Sequence, residues 1–202
     1  MQTHRSALRI ITVSVVVAGA LSGCSAGSQP SAPHPAAPSS SPVPEVNPAG
    51  DIPDNQAYIK AGAPSGDYTL QVPEGWAEVR KANSLTFTEK LNSISVQESH
   101  TPSAPTVQSV GATQVPALAA SVPDFSLLNV APFKRNGGSG ILITYTGSSA
   151  PDAVTHKSLT QAFERYLFFS HGTIAALTLA GAKGADNVDP WAKVSGSFRW
   201  TK

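Results

Sequence analysis

Between about Tyr58 and Lys202, polar and apolar side chains alternate with a period of two in several segments, which predicts strands. The clearest is Asp67–Val72, and a break at 73–75 separates it from a returning segment at Trp76–Val79. Two further alternating segments follow, at 84–89 and 93–98, with Asn92 in the turn between them. We expect these four segments to form one meander.

The second half of this region predicts two more hairpins. Strands at 126–130 and 141–146 flank Asn136-Gly137-Gly138, a combination that favours a turn. An aromatic strand at 162–170 and its partner at 173–179 flank His171-Gly172. The connections are short, so neighbouring strands should be antiparallel.

Two segments have helical spacing instead. In 106–120, Val107, Val110 and Leu118 lie at intervals that fit one helix face, and Thr106 is suited to cap the helix. Pro116 lies inside this segment and predicts a kink or a division into two short helices.

Near the C-terminus, Asp189 is predicted as the N-cap, with Pro190 in the first helical position. Trp191, Val194 and Phe198 would then share one face of a closing helix. Strands interrupted by helices indicate an α+β domain, with a largely antiparallel sheet packed against two or more helices.

The N-terminal segment has the pattern of an export signal. A short basic start precedes an apolar run from Ile10 to Leu21, which is too short to span a hydrocarbon core of roughly 30 Å comfortably. The run ends in Leu21-Ser22-Gly23-Cys24, which resembles the lipobox of bacterial lipoproteins. That resemblance implies a diacylglyceryl group on the Cys24 thiol and cleavage by signal peptidase II before it, with Leu21, Ser22 and Gly23 as the recognition sequence. Two acyl chains suffice for stable anchoring to a membrane.

The composition changes after Cys24. Eight prolines lie within 25–56, interleaved with Ala and Ser and with few large apolar side chains. Such a segment cannot bury enough surface to offset its loss of conformational entropy, so we expect a disordered spacer. The predicted organisation is a signal peptide at 1–23, a lipidated cysteine and tether at 24–56, and a folded domain at 57–202.

Composition and charge exclude several classes of protein. The net charge is +1 and only 13% of residues are charged, so nothing in the chain favours nucleic-acid binding. Cys24 is the single cysteine, so an internal disulfide is impossible. The protein is therefore expected on the outer face of a cell membrane, held there by lipid.

No motif for catalysis, a cofactor or a metal is evident. His100, His156 and His171 lie far from one another in the sequence, so the close ligand spacing of a zinc site is missing. A site assembled by folding, with Asp186 or Asp189 contributing, is left as an alternative. The glycine-rich segments 137–140 and 181–186 lack the spacing of a nucleophile elbow or a phosphate-binding loop. We expect a protein that is not an enzyme.

Aromatic side chains give the best indication of a binding surface. Alternation along 162–170 places Tyr166 and Phe168 opposite Phe163, Leu167 and Phe169, so both faces of this strand are apolar. Either other elements cover both faces, or one face binds a partner or ligand. The candidate surface residues are Trp76, Tyr166, Phe168 and Trp191.

The order of these elements resembles the PsbP/Mog1-like fold. The resemblance covers about 58–202 and is carried by Tyr68-Thr69-Leu70-Gln71-Val72-Pro73-Glu74-Gly75-Trp76, the hairpin at 163–179, and the ending Ser197-Phe198-Arg199-Trp200. A signal, a proline-rich tether and such a domain are also the layout of small actinobacterial lipoproteins. The resemblance implies a platform for protein interactions and supplies no catalytic residue.

Three functions follow as hypotheses. The first is a protein-interaction module of the cell envelope, accessory to a transporter or a wall-assembly complex. The second is a binding protein for a small apolar or lipid-like ligand, and the third is an envelope hydrolase. The first agrees best with the anchor, the spacer and the lack of a catalytic motif.

Overall fold

The computed structural model describes residues 49–152 and 154–201. The predicted lipobox and most of the predicted tether lie outside these residues. The strands of the described part are β1 Tyr58–Gly62, β2 Tyr68–Pro73, β3 Ala77–Lys81, β4 Ser84–Glu89, β5 Asn92–His100, β6 Ser126–Arg135, β7 Gly138–Ser148, β8 Thr160–Ser170, β9 Thr173–Ala182 and β10 Arg199–Trp200. The helices are α1 Val107–Ser121 and α2 Val188–Ser197.

The strands form two antiparallel sheets. The large sheet has seven strands in the order β3-β4-β5-β9-β8-β7-β6, and the small sheet has three in the order β1-β2-β10. The predicted α+β class with a largely antiparallel sheet is confirmed. Both predicted hairpins of the second half are also present, and His171 and Gly172 take the positive φ angles of 45° and 78° that a tight turn between β8 and β9 requires.

The predicted four-strand meander is wrong in one respect. β3, β4 and β5 pair consecutively, but β2 leaves this sheet and pairs with β1 and β10. The turn after β2 contains Gly75 at a φ of 85°, and it redirects the chain from one sheet to the other. Alternation shows that a segment is a strand, but it carries no information about which strand lies beside it.

Two apolar clusters lie on opposite faces of the large sheet. The first cluster fills the space between that sheet and the layer made by the small sheet and α2, and its largest fully buried side chains include Tyr68, Phe168 and Phe198. The second cluster lies beneath α1 and includes Val110, Ile143 and Leu167. The large sheet is therefore the central layer of the fold.

Helix α1 begins as the sequence predicts. The Thr106 hydroxyl accepts a hydrogen bond from the Ser109 amide, and the Ser109 hydroxyl accepts one from the Thr106 amide. Pro116 lies inside one continuous helix, so of the two predicted outcomes the division into two short helices does not occur. Val115 and Leu118 pack against the second cluster on either side of Pro116, and this packing offsets the local cost of the proline.

Helix α2 differs from the prediction at both ends. Asn187, not Asp189, is the N-cap, and Asp189 lies in the first turn, where a negative charge favours the helix dipole. The helix ends at Ser197, and Arg199–Trp200 pairs with β2 as a strand. Phe198 is fully buried at the change of direction between the two.

Residues 49–53 are held against the domain by two buried asparagines. The Gly50 carbonyl accepts hydrogen bonds from the Asn92 and Asn187 side-chain amides, both at 2.9 Å, and the Asn187 oxygen accepts one from the Ile52 amide at 2.8 Å. The Ile52 side chain is 4% exposed. Residues 49–53 therefore pack against the domain, within the stretch that composition assigns to the tether.

Candidate interaction surface

The structure buries two of the four aromatic residues proposed as a binding surface. Tyr166 is 2% exposed and Phe168 is fully buried, both within the first cluster. The Phe168 ring stacks on Phe198 with centroids 4.1 Å apart, and Phe133 meets both Phe168 and Tyr166 edge-on. These residues are core, so their assignment to a surface is wrong.

The reason is that other elements cover both faces of β8. α1 packs over the face that carries Leu167, while the small sheet and α2 pack over the face that carries Tyr166. The Tyr166 hydroxyl donates a 2.6 Å hydrogen bond to Glu164, and burial together with this bond raises the pKa of Tyr166. Its polar end is thus satisfied inside the protein, as expected of a buried tyrosine.

Trp76 and Trp191 keep part of their surface exposed. Both are half-buried and pack against the first cluster. Trp76 lines a cavity of about 290 Å³ together with Asn92, Glu89, Lys90 and residues 49–53, whereas Trp191 does not line it. The four aromatic residues therefore do not form one site, and the set proposed as a binding surface for a partner or ligand is divided between core and surface.

The clearest exposed apolar surface lies elsewhere, at α1 and the first half of β6. The α1–β6 surface comprises the outward side of α1 and residues 126–129 of β6, which is the outermost strand at its end of the large sheet. Leu128 is 63% exposed, and Leu127 and Val107 are each 43% exposed. No charged residue occurs in 107–121 or in 126–131.

The opposite edge of the same sheet is β3, and charged side chains protect it from pairing with other chains. All five residues of β3 are exposed, but three of them are charged, and Glu78 pairs with Arg80. Charged side chains on an edge strand discourage pairing with other chains. β6 has no such protection over 126–131, although a β-bulge between Leu127 and Asn129 and Pro132 limit regular pairing along it. The β6 edge of the sheet therefore combines exposed leucines with a stretch, 126–131, that has no charged side chain.

Two consecutive leucines in the sequence are a feature that could have predicted this surface, although the alternation of polar and apolar residues did not reveal it. Leu127 and Leu128 are consecutive in a strand, and strict alternation allows just one of two neighbours to face a core. The bulge at this point exposes both side chains. Adjacent leucines in an edge strand thus indicated an irregularity with apolar exposure.

The histidines do not come together. His171 lies at the β8–β9 turn, His100 contacts the Thr173 hydroxyl at 3.2 Å, and His156 is exposed at a positive φ of 54°. Within residues 49–152 and 154–201, no three His, Cys, Asp or Glu side chains are grouped as a metal site requires. In the same part of the chain, neither helix is long and apolar enough to span a membrane.

Comparisons with known proteins add a general likeness of fold. No protein-family model matches the chain, and no curated protein matches it. Among solved structures, CyanoP, the PsbP protein of Synechocystis sp. PCC 6803, is 17% identical with a TM-score of 0.49, over 72% of this chain and 93% of that one. The Ran-binding protein Mog1p of Saccharomyces cerevisiae is 8% identical with a TM-score of 0.46, over 71% and 95%.

A third similar structure is LpqN of Mycobacterium tuberculosis, described as involved in cell envelope biogenesis. It is 16% identical with a TM-score of 0.42, over 74% of this chain and 87% of that one. The similar structures thus include a PsbP protein and a Mog1 protein. These are the two proteins after which the fold that the sequence resembles is named. At these sequence identities and TM-scores, the likeness concerns only the arrangement of strands and helices. It does not indicate which partner this chain binds.

Proposed function

We propose that this protein is a lipid-anchored, extracytoplasmic accessory component of the cell envelope, which binds a protein partner and catalyses no reaction. The observation that carries the proposal is the α1–β6 surface, where exposed leucines, an uncharged helix and an uncharged sheet edge adjoin. Large exposed apolar patches are uncommon on monomeric proteins and mark interaction sites. The lipobox resemblance and the proline-rich segment support a position at a membrane surface, with a spacer that gives the domain room to reach a partner.

The partner should bring a complementary apolar strand or helix. An exposed strand edge offers backbone amides and carbonyls for strand addition, and apolar side chains beside it supply the contact area. Residues 107–121 and 126–131 carry no charge, and Asp124 in the connector between them is a single carboxylate that accepts a hydrogen bond from the Ser148 hydroxyl. Binding should therefore depend weakly on salt concentration. This distinguishes it from a complex formed through ion pairs.

Replacing Leu128 by glutamate should abolish partner binding while the domain stays folded. Leu128 is 63% exposed, so the substitution removes apolar contact area and places a charge in the interface without disturbing the core. The measurement is cross-linking of the anchored protein in intact envelopes, followed by capture and quantification of the attached proteins. We expect at least about a tenfold loss, which corresponds to 1.4 kcal/mol.

Val79→Glu is the matched control. Val79 is 53% exposed on β3, the opposite edge of the same sheet, so the variant makes the same kind of change at a protected edge. It should retain the partners that the unaltered protein captures. Equal capture by the unaltered protein and the Leu128 variant, or no enrichment over an unrelated lipid-anchored domain, would refute the proposed surface.

The anchor can be tested independently. Cys24→Ala should abolish incorporation of radiolabelled palmitate and release the protein from the membrane fraction, because the thiol is the group that would carry the lipid. Ser25→Ala, at the next residue, should leave both unchanged. Label retained by the Cys24 variant would exclude the lipoprotein assignment while leaving the surface proposal open to its own test.

A further inference from the structure

A groove of about 490 Å³ lies between the outer face of the small sheet and the second half of α2. Cross-strand register places Lys60 beside Gln71 and Arg199 beside Thr69, so these side chains share one face of the sheet. Leu70 lies between Thr69 and Gln71 and is buried in the first cluster. Strand alternation therefore turns Lys60 and Arg199 toward the solvent.

The C-terminal end of α2 forms one wall of the groove. The Gly196 carbonyl accepts a 2.7 Å hydrogen bond from the Arg199 guanidinium and a 3.3 Å hydrogen bond from the Asn136 side-chain amide. The Phe198 carbonyl accepts a 2.6 Å hydrogen bond from the same nitrogen of Arg199, Nη1. These bonds offset the partial negative charge of the helix end, which would otherwise repel an anion. They leave Nε and Nη2 of Arg199 without a hydrogen-bond partner among the described residues.

Among the described residues, three cations line the groove and no carboxylate does. The cations are Lys60, Lys193 and Arg199, all exposed, and we call the groove that they line the cationic groove. The Lys193 Nζ atom lies 3.9 Å from the centroid of the Tyr58 ring, which stabilises its charge without neutralising it. Over residues 49–152 and 154–201, none of the three cations forms an ion pair with a carboxylate.

The charges around the cationic groove are also mostly positive. Asp54 and Asp189 line a neighbouring cavity of about 250 Å³, which shares Lys193 with the groove. Asp189 lies one helical turn before Lys193, but the two side chains form no ion pair. Lys134 and Arg135 end β6 immediately before the turn that lines the groove, and both are exposed. The groove is therefore suited to an anionic ligand.

The cationic groove lies within one helix length of the point where the predicted tether joins the domain. Residues 50–52 bond the Asn187 side chain at the N-cap of α2, and the ten residues of this helix span about 15 Å. Residues 24–48 would reach up to about 75 Å in extended form. For a chain anchored as proposed, lipid headgroups are thus the phosphate groups at the highest local concentration.

We propose that the cationic groove binds the phosphate groups of anionic lipids and thereby holds the domain on the membrane surface. Lys60, Lys193 and Arg199 would donate charge-assisted hydrogen bonds to these phosphates. Each cation close to an anionic membrane surface adds to the attraction. The choice of a lipid as the source of the phosphate rests on the proposed anchor, whereas the charge of the groove does not.

Docking through the cationic groove leaves the α1–β6 surface free. The small sheet and α1 lie on opposite faces of the large sheet, and the groove is on the outer side of the small sheet. A membrane that contacts the groove therefore lies on the side of the domain opposite to α1. The protein partner and the membrane can then be bound at the same time.

The test is sedimentation with lipid vesicles. It uses residues 24–202, the predicted mature chain, which retains every described strand and helix, with Cys24→Ala so that no attached lipid contributes. Vesicles with about 30% phosphatidylglycerol in phosphatidylcholine should bind this protein at least tenfold more tightly than phosphatidylcholine alone. Lys60→Gln combined with Lys193→Gln should lower binding to the anionic vesicles by about 25-fold. Arg199 is left unaltered because its hydrogen bonds hold the end of α2.

Lys81→Gln combined with Lys157→Gln is the matched control. It removes the same charge from exposed positions on β3 and in the segment between β7 and β8. This variant should change binding by less than about threefold. Equal losses in the two double variants would mean that net charge, and not the groove, sets the binding, and would overturn the proposal. Equal binding of the unaltered groove to both kinds of vesicle would overturn it as well.

Salt and a soluble competitor decide the source of the phosphate. Raising NaCl from about 50 to about 500 mM should release the protein from anionic vesicles, because the Debye length falls to a few ångströms. Glycerol 3-phosphate at about 20 mM and constant ionic strength should not release it, because one phosphate cannot engage all the cations along the groove. Release by glycerol 3-phosphate would indicate a soluble ligand and overturn the membrane assignment. The Leu128 and Cys24 tests of the proposed function are unaffected by either result.

Discussion

Replacing Phe198 by alanine is expected to lower the free energy of unfolding by about 4 kcal/mol. Phe198 is fully buried and is the ring around which the first cluster is arranged. It stacks on Phe168 with centroids 4.1 Å apart and on Tyr68 at 5.2 Å, and it meets Trp200 edge-on at 5.3 Å. Its loss would open a cavity bounded by both sheets, which cannot collapse without moving one of them.

Urea unfolding followed by tryptophan fluorescence measures this change, because Trp200 lies in contact with the ring. Phe169→Ala is the control: Phe169 is half-buried and belongs to neither cluster, so its loss should cost about 1 kcal/mol. Similar costs for the two variants would mean that Phe198 is not the centre of this core.

Replacing Asn187 by alanine is the second large expected effect, at about 2 to 3 kcal/mol. The Asn187 side chain is buried, and it bonds the Ile52 amide, the Gly50 carbonyl and the Asn92 oxygen. Without it, the Ile52 amide and the Asn92 oxygen lose a partner in a buried place. Residues 49–53 should then separate from the domain more readily than the domain itself unfolds.

Hydrogen exchange at the Ile52 amide is the measurement that separates this local effect from a general one. In the Asn187→Ala variant, the exchange rate of the Ile52 amide should increase by more than the decrease in the global free energy of unfolding accounts for. Asn55→Ala, an exposed asparagine in the same segment, should change neither exchange nor stability. If the protection of the Ile52 amide from exchange falls no further than that of amides in β9, Asn187 does not hold residues 49–53 against the domain.

These two residues also show where sequence reasoning was sufficient and where it was not. The spacing of Trp191, Val194 and Phe198 indicated one apolar face, and all three do pack into the first cluster. The spacing could not show that the helix ends at Ser197, because Phe198 is apolar in either conformation and the pairing of Arg199–Trp200 with β2 depends on a strand some 130 residues away.

The N-cap of α2 was missed for a related reason. Asp189 followed by Pro190 is a good local helix start, but Asn187 precedes it and has its side chain engaged by residues 50–52. A bond across more than a hundred residues is invisible in a local pattern.

The sequence alone predicted both helices and all strands except β1 and β10. It also determined the α+β class, two hairpins with their turns, the capping of α1 and the charge-poor character of the whole chain. Each of these depends on neighbours within a few residues, where period, turn chemistry and capping act. The tertiary structure decided that β2 belongs to a second sheet, that both faces of β8 are covered and that Tyr166 and Phe168 are core. It also decided which apolar side chains stay outside, because burial depends on how distant segments pack, and a bulge in an edge strand left Leu127 and Leu128 exposed.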